Sequence, residues 1–371
     1  MTTPSPLARR PRPPHAGPAA RSRPAGAALG LLTLVAGCGA PPIEPPLARH
    51  GSVLVDGCAL DGWQRETLAG EAARRALREV VLLCLSVHED GRVSPADGPS
   101  RAALSSELDG LRRLGYEVSL GVTSRDDSGV DYPPERILSW LQQKPIRDQA
   151  TAAITALLRG SSGLDVALPQ LPDGARADLG AWVGELAGAL RPATKLGLLA
   201  PPSSMEPSDL PGGAAYDLRA LAPQVDRVRL LTVDLSCCGS GPGASTDSSW
   251  IADVLQLAAT RTGQTPLSYT LPLYGTAFGP GPSDERPVGF HEALGLAGLY
   301  QVQIQRAPAG ALHFDYTDGL GAHRSVWFDD ARSLTGYQRA LDGTINPSIG
   351  VFYYGLGAED PALWGSLPRP R

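Results

Sequence analysis

Eight short apolar runs, each with a stretch of helical spacing before or after it, narrow the possible folds of this chain more than any other feature. The strand-like runs are SVLVDG, EVVLLCLSV, YEVSLGVTS, GLDVAL, KLGLLAPP, VDRVRLLTVDLS, PLSYTLPLYG and SIGVFYYGLG. Among them lie helical stretches such as RETLAGEAARRALR, RAALSSELDGLRRLG, PERILSWLQQKPIRDQATAAITALLRG, ADLGAWVGELAGALRP and SSWIADVLQLAATRTG. Strands buried on both faces read as near-continuous apolar runs, and strand–helix alternation places them in one parallel sheet covered by helices. The count predicts an α/β fold, a (β/α)8 TIM barrel. An open doubly wound sheet is the competing architecture, but it calls for a Gly-rich phosphate loop after the first strand, which VDGCALDG does not supply. The stretch 284–327 interrupts the pattern with alternating pieces such as LYQVQIQ and ALHFDYTD, which predict a small α+β insertion between strands seven and eight.

Ahead of the barrel, Arg9, Arg10, Arg12, Arg21 and Arg23 precede the apolar run AALGLLTLVAGC. A basic segment followed by a short apolar run and small residues is the layout of a secretory leader. The run is shorter than the roughly 20 residues of a permanent span. LVAGC further resembles a bacterial lipobox, which predicts cleavage after residue 37 and lipid on Cys38; an uncleaved anchor, or ordinary cleavage leaving Cys38 an unpaired thiol, is the alternative. Residues 38–51, with GAPPIEPPLARH, read as a Pro-rich extended tether, and 52–371 as the folded domain. These features predict a protein exported and lipid-anchored to the cell-envelope membrane of a bacterium.

The formal net charge of −5 includes the basic leader, so the mature chain is more acidic still. With no basic stripe elsewhere, nucleic acid is not an expected partner. Export permits disulfides among Cys58, Cys84, Cys237 and Cys238, but spacing does not fix the pairing. The adjacent Cys237 and Cys238 have no His nearby in sequence, and are expected to be bonded elsewhere or buried, without a catalytic role. GSGPGAS, which follows them, lacks the Lys and Ser/Thr ending of a phosphate loop and reads as a flexible loop. The histidines beyond the leader (His50, His88, His291, His313, His323) are scattered, so neither a metal nor another cofactor is expected.

One strand carries the chemical question. In SSGLDVALPQLP, Asp165 lies between Leu164 and Val166 in an otherwise apolar run that Pro169 ends. GLDVALPQLP, VDRVRLLTVD, LPLYG, SVWFDDARSL and GVFYYGLGAEDPALW occur in the order of the signature stretches of glycoside hydrolase family 18, and the chain from about Ser52 to Trp364 resembles the chitinase-like barrels of that family, particularly its spore-germination and cell-wall branch. The resemblance implies a retaining glycosidase in which the substrate's own acetamido oxygen attacks, an exception to the two-carboxylate rule. It also implies a D-G-x-D-x-D-x-E strand whose last Glu protonates the leaving oxygen, whose preceding Asp holds the acetamido group, and a Tyr on strand six.

Laid on this chain, the first Asp of that strand is Ser162, the second is kept as Asp165, the third is Ala167 and the acid is Pro169. On strand six the Met is Leu231, the Tyr is Val233 and Asp234 is kept; the Trp that floors the sugar site is Tyr354. Neither Ala nor Pro can move a proton through its side chain, and an amide at Gln170, one residue on, cannot either. The resemblance thus implies a degenerate member with no catalytic residue in place, whose substrate-binding candidates are Asp165, Asp234, Tyr274 and Tyr354. Asp165 reads equally as a buried structural acid. Tyr274 and Tyr354 read equally as packing at the barrel mouth. Trp63, Trp250 and Trp327 are further candidates, while Trp140 and Trp182 fall in helical patterns and belong to the core.

Three functions follow: a monomeric, lipid-anchored binder of an N-acetylglucosamine polymer such as peptidoglycan or chitin; a weak or altered glycosidase with a relocated acid such as Asp126, Asp127 or Glu359; or an envelope scaffold presenting its loops to a partner.

Overall fold

The computed structural model describes residues 51–95, 101–126, 130–168, 171–203, 213–342, 344–346 and 348–367. The leader, Cys38, the tether through His50, Asp127, Pro169 and Gln170 lie outside the described residues, while Gly51, expected to end the tether, already belongs to the first strand. Strands β1 (Gly51–Asp56), β2 (Leu77–Val87), β4 (Glu117–Thr123), β5 (Gly163–Val166), β6 (Lys195–Ala200), β7 (Arg227–Leu230), β8 (Leu267–Pro272) and β14 (Gly350–Tyr354) pair in parallel, and the ring closes because β1 bonds both β2 and β14. β3 (Val93–Pro95) adds antiparallel to the end of β2. This is the (β/α)8 barrel, and each of the eight apolar runs supplies one of its strands.

Helices α1 (Gly62–Ala69), α2 (Glu71–Ala76), α3 (Arg101–Arg113), α4 (Pro134–Leu141), α5 (Lys144–Leu157), α6 (Arg176–Leu190), α7 (Leu218–Leu221) and α8 (Ser248–Thr262) cover the outside. The long stretch from Pro134 to Leu157 is two helices rather than one. It breaks at Gln142 and Gln143, and Pro145 sits in the first turn of α5, where its missing N–H costs nothing. Trp140 of α4 and Trp182 of α6 are fully buried, their rings edge to face at 5.0 Å. Such a pair adds about 0.5–1.5 kcal/mol beyond its buried area.

The insertion is a second sheet, β9 (Gly275–Phe278), β10 (Arg286–Val288), β11 (Gln305–Arg306), β12 (Leu312–Thr317) and β13 (His323–Phe328), paired antiparallel in the order β10-β9-β13-β12-β11. Ala293 and Ala297 of α9 (Phe290–Leu299) join Phe314, Val326 and Phe328 in its own small core. It starts about ten residues before the expected Asp284. The reason is local: LSYTLPLYGTAF is one apolar run, but β8 ends at Pro272 and, after Leu273 and Tyr274, the chain turns into β9 to pair with β10 and β13.

Inside the barrel, inward positions form two layers of opposite character. Toward the N-terminal ends of the strands Glu79, Asp165, Arg227 and Arg229 form a buried ion cluster. Arg229 reaches Glu79 at 2.6 Å and Asp165 at 3.2 Å, and Arg227 reaches Glu79 at 2.8 Å and Asp165 at 3.0 Å. Ser119 and Ser52 donate to Glu79 at 2.5 and 3.0 Å. A side chain on Gly197, across from Asp165 on β6, would overlap the Asp165 carboxylate, so glycine makes the room the cluster occupies. Above it, Leu54, Val81, Leu83, Ala167, Leu199 and Phe352 make an apolar layer with Leu231 and Tyr354 at its edge.

Helix α10 (Ala331–Asp342) follows β13 through two aspartates with opposite fates. Asp330 accepts the Ser333 N–H at 2.8 Å and a two-point contact from Arg306, which hold its carboxyl below the usual range against the pull of burial. Asp329 is buried with the Tyr337 hydroxyl at 2.9 Å, and burial pushes its carboxyl from about 3.8 up to about 7. Because the folded chain holds this proton more tightly than the unfolded one, the group's contribution to stability is full below about pH 4 and is lost as pH rises through about 7. Denaturant unfolding of the native protein and Asp329→Asn should show the native protein losing ground across that window. A difference between the two that stays flat there contradicts the assignment.

Candidate functional site

Barrel sites form at the C-terminal ends of the strands. There Asp234, just past β7, adopts φ 60°, a left-handed conformation that Asp tolerates better than most residues because its short side chain can bond locally. The turn is fixed from below: the Thr232 hydroxyl donates to the Thr270 carbonyl at 2.7 Å and accepts the Thr270 N–H at 2.8 Å, while Thr246 donates to the Thr232 carbonyl at 2.9 Å. The Asp234 carboxylate keeps solvent access and accepts the Tyr274 hydroxyl at 2.9 Å. Tyr274 sits in the turn between β8 and β9, its ring edge-on to Tyr354 at 5.8 Å. A side chain on Gly355 would come within 2.9 Å of the Tyr274 ring, and its φ of 93° is itself a glycine conformation. Asp234, Tyr274 and Tyr354 thus come together as one group: an acid held by a phenol, with a second partly exposed tyrosine ring meeting the first edge to face.

Surrounding protein pushes the Asp234 carboxyl above the ordinary aspartate range, against the pull of the Tyr274 hydroxyl. Burial and the Asp234 charge raise Tyr274 well above the usual phenol value, and burial with the Asp56 charge brings Tyr354 up to about 12. Both phenols stay protonated at neutral pH, so they are hydrogen-bond donors rather than bases.

A charged group that sequence reasoning missed completes the mouth. Arg125, beyond β4, donates to Asp56 at 2.7 Å and to Asp131 at 2.8 Å. Burial opposes its charge, but these two carboxylates outweigh it and raise its pKa. All three act electrostatically on Tyr354. The signal available was position: Asp56 ends strand one and Arg125 follows strand three, as a barrel-mouth residue must.

The positions of the signature strand fare differently. Ser162 directly precedes β5, at its N-terminal end, donating its N–H to the Val118 carbonyl at 2.6 Å. Asp165, expected to be a ligand contact, is wholly buried with both oxygens on Arg227 and Arg229; of its two readings the structural one describes it. Ala167 is part of the apolar layer, and Val233 is buried. Pro169 lies outside the described residues. Among the suggested relocated acids, Glu359 is buried with one oxygen on the Gly357 N–H at 2.6 Å and the other on the Trp364 indole at 3.1 Å, and Asp126 caps its own loop through the Val130 N–H at 3.1 Å. Burial raises the Glu359 carboxyl, but it faces its own loop.

Trp63 stands 42% exposed with its ring against His291, and Trp327 stacks on His313 at 4.4 Å on the insertion sheet. Trp250 is partly buried against the main core. Cys58 bonds Cys84, a pairing that spacing left open, and the adjacent Cys237 and Cys238 correct expectation: they bond each other and are neither joined to other partners nor buried. Among the described residues no group of three or more His, Cys, Asp or Glu is placed to hold a metal ion, and no helix is long and apolar enough to cross a membrane.

No family model matches the chain. A cortical fragment-lytic enzyme of Bacillus subtilis (strain 168) is 30% identical over 155 residues, and one of Bacillus anthracis 29% over 158 residues. The match takes in 40–41% of this chain and 36% of each relative, so the chain spans about a third of the length of these curated relatives. Among solved structures, a chitinase from Chromobacterium violaceum ATCC 12472 superposes with a TM-score of 0.73 at 22% identity, over 85% of this chain and 97% of its own. The Bacillus cereus spore cortex-lytic enzyme SleL gives 0.72 at 18%, over 87% and 74%. A class V chitinase from Nicotiana tobaccum, in complex with NAG4, gives 0.64 at 13%, over 86% and 97%. At these identities the likeness establishes the (β/α)8 barrel fold alone.

Proposed function

We propose that this protein binds a glycan at the barrel mouth without hydrolysing it. The observation that carries this reading is the coexistence of an intact polar and aromatic group, Asp234, Tyr274 and Tyr354, with positions that carry no proton donor and no acetamido clamp, Ala167, Val233 and Pro169. Flat aromatic faces beside a hydroxyl-binding acid suit a sugar ring. The names of the similar proteins, cortical fragment-lytic enzymes and chitinases, favour a polymer containing N-acetylglucosamine, such as peptidoglycan or chitin. The basic leader and LVAGC favour attachment to a bacterial envelope membrane through lipid on Cys38.

A glycan array run beside a hydrolysis assay tests the core of this reading. Binding without product release is expected. Tyr354→Ala and Asp234→Ala should each weaken binding about tenfold or more, the loss typical of a central aromatic or charged contact. A folded protein that captures no glycan overturns the proposal and leaves the scaffold reading standing. In cells, Cys38→Ala should move the protein from the detergent phase to the aqueous phase; unchanged partitioning removes the lipid anchor.

A further inference from the structure

The loop after β7 is closed on itself and fastened to the insertion. The Leu235 N–H donates to the Ser245 carbonyl at 2.9 Å, bringing the loop's ends together. At its tip Ser240 donates to the Cys237 carbonyl at 2.9 Å, with Cys238 at φ 57° and Gly239 at φ 92° between them. Two positive φ values across such a bond make a mirror-image turn that ordinarily takes Asn-Gly or Gly-Gly. Here the first position is a cysteine, bonded through sulfur to the residue before it. The small ring so formed contains the peptide bond joining the two residues and restricts the backbone on both sides.

This turn presents two N–H groups outward, and both are taken. Cys238 donates to one oxygen of Glu285 at 2.6 Å and Gly239 to the other at 3.1 Å. Glu285 directly precedes β10, so the contact joins the barrel's β7 loop to the insertion sheet. The Ser245 and Thr276 hydroxyls meet at 3.5 Å, and Gly239 lies beside Pro282. At the base of the same loop stands Asp234.

The two disulfides differ in access. Cys58 and Cys84 are buried, whereas Cys237 is half-buried and Cys238 exposed. Access is one of the things that sets the rate of thiol–disulfide exchange, and only the second bond is open to a dithiol from solvent.

We infer that the Cys237–Cys238 bond is a redox latch that holds the β7 loop against the insertion and is opened by a dithiol reductant of the cell envelope. A thiolate of the reductant attacks one sulfur, and the S–S bond breaks with the electron pair leaving on the other. The reductant's second thiol then resolves the mixed disulfide. Cys237 and Cys238 end as two thiols and the reductant as its own disulfide, a two-electron exchange. Without the ring, Cys238 leaves the left-handed region for a backbone conformation that non-glycine residues prefer. The N–H pair turns away from Glu285 and the loop parts from the insertion. The effect on ligand binding, through Asp234, rests on the glycan reading; the effect on the loop does not.

The experiment uses the purified full-length protein treated with graded dithiothreitol, with thiol alkylation and mass spectrometry to find the dose that opens Cys237–Cys238 and spares Cys58–Cys84. Amide hydrogen exchange across 235–246 should then accelerate about tenfold or more, as expected for a segment moved toward the low-stability end of the structure. Double replacement Cys237→Ser with Cys238→Ser should exchange as fast as the reduced native protein and ignore dithiothreitol. Glu285→Gln, oxidised, should show part of the acceleration. Two free thiols with unchanged exchange overturn the latch, as does a Cys237–Cys238 bond that resists reduction until Cys58–Cys84 opens. Glycan affinity measured on the same reduced sample separates the two ideas: faster exchange with unchanged affinity removes the link to the ligand site.

Discussion

Replacing Arg229 with Met is expected to lower the free energy of unfolding at pH 7 by about 3–5 kcal/mol, the usual cost of removing one partner from a buried charge network. Arg229 is 3% exposed, bridges Glu79 and Asp165, and lies over the Phe352 ring at 4.4 Å. Methionine fills much of the same space, so the loss measures stranded charge more than a cavity. Two carboxylates would then share Arg227 alone, inside a barrel whose next layer is apolar. Burial pushes the Glu79 carboxyl up, yet Arg229 and Arg227 outweigh it and hold it at about 2, below its ordinary 4.5. A lowered folded pKa means that the stability from Glu79 is complete above about pH 4.5 and fades as pH falls toward 2. The deficit of Arg229→Met should therefore shrink on acidification through that window. Denaturant unfolding over a pH series reads both features. A loss below about 1 kcal/mol at pH 7, no more than an exposed ion pair gives, or a deficit that grows in acid, removes the cluster as a keystone of the barrel.

The same cluster shows what a sequence of this kind discloses. Period-two alternation in GLDVAL marks Asp165 as an acid within a buried strand, but its partners lie on β7, more than sixty residues along the chain. The signal for them was present. In VDRVRLL, Arg227 and Arg229 alternate with Val228 and Leu230, so two cations occupy the inward positions of a short apolar strand. An inward acid on one strand and inward bases on another are natural partners once the barrel is closed, and closure is what alternation alone does not state. The barrel itself was legible because eight both-face-buried strands leave few alternatives. The insertion's start was not, since β8 and β9 share one apolar run and only antiparallel pairing with β10 and β13 divides them. Tyr274 and Tyr354 were placed at the mouth by their position at strand ends, whereas Arg125 escaped because a surface arginine after a strand looks like any other. The Cys237–Cys238 bond escaped for a different reason: adjacent cysteines more often serve separate partners, and only the turn geometry joins them.

The purified protein is expected to release no measurable product from chitin oligomers or peptidoglycan. On the proposed reading, the proton donor of the chitinase-like signature falls on Pro169, which has none to give, and a positioned donor contributes about 10²–10⁴-fold to such a reaction. The acetamido clamp of the same signature would require a carboxylate and a phenol where Ala167 and Val233 stand, and both are apolar and buried. Glu359 is buried with its two oxygens on the Gly357 N–H and the Trp364 indole, and Asp234 accepts the Tyr274 hydroxyl through one oxygen, a ligand contact on this reading and not a proton donor. Ala167→Asp with Pro169→Glu tests whether the loss is merely of two side chains. Little recovery is expected, because the new aspartate would enter a layer of Leu54, Val81, Leu83, Leu199 and Phe352. Burial there favours its protonated form, and Val233 still offers no hydroxyl. Steady product release by the unmodified protein, abolished by Asp234→Asn in a variant that still binds the glycan, would instead make Asp234 a working acid and the protein an enzyme.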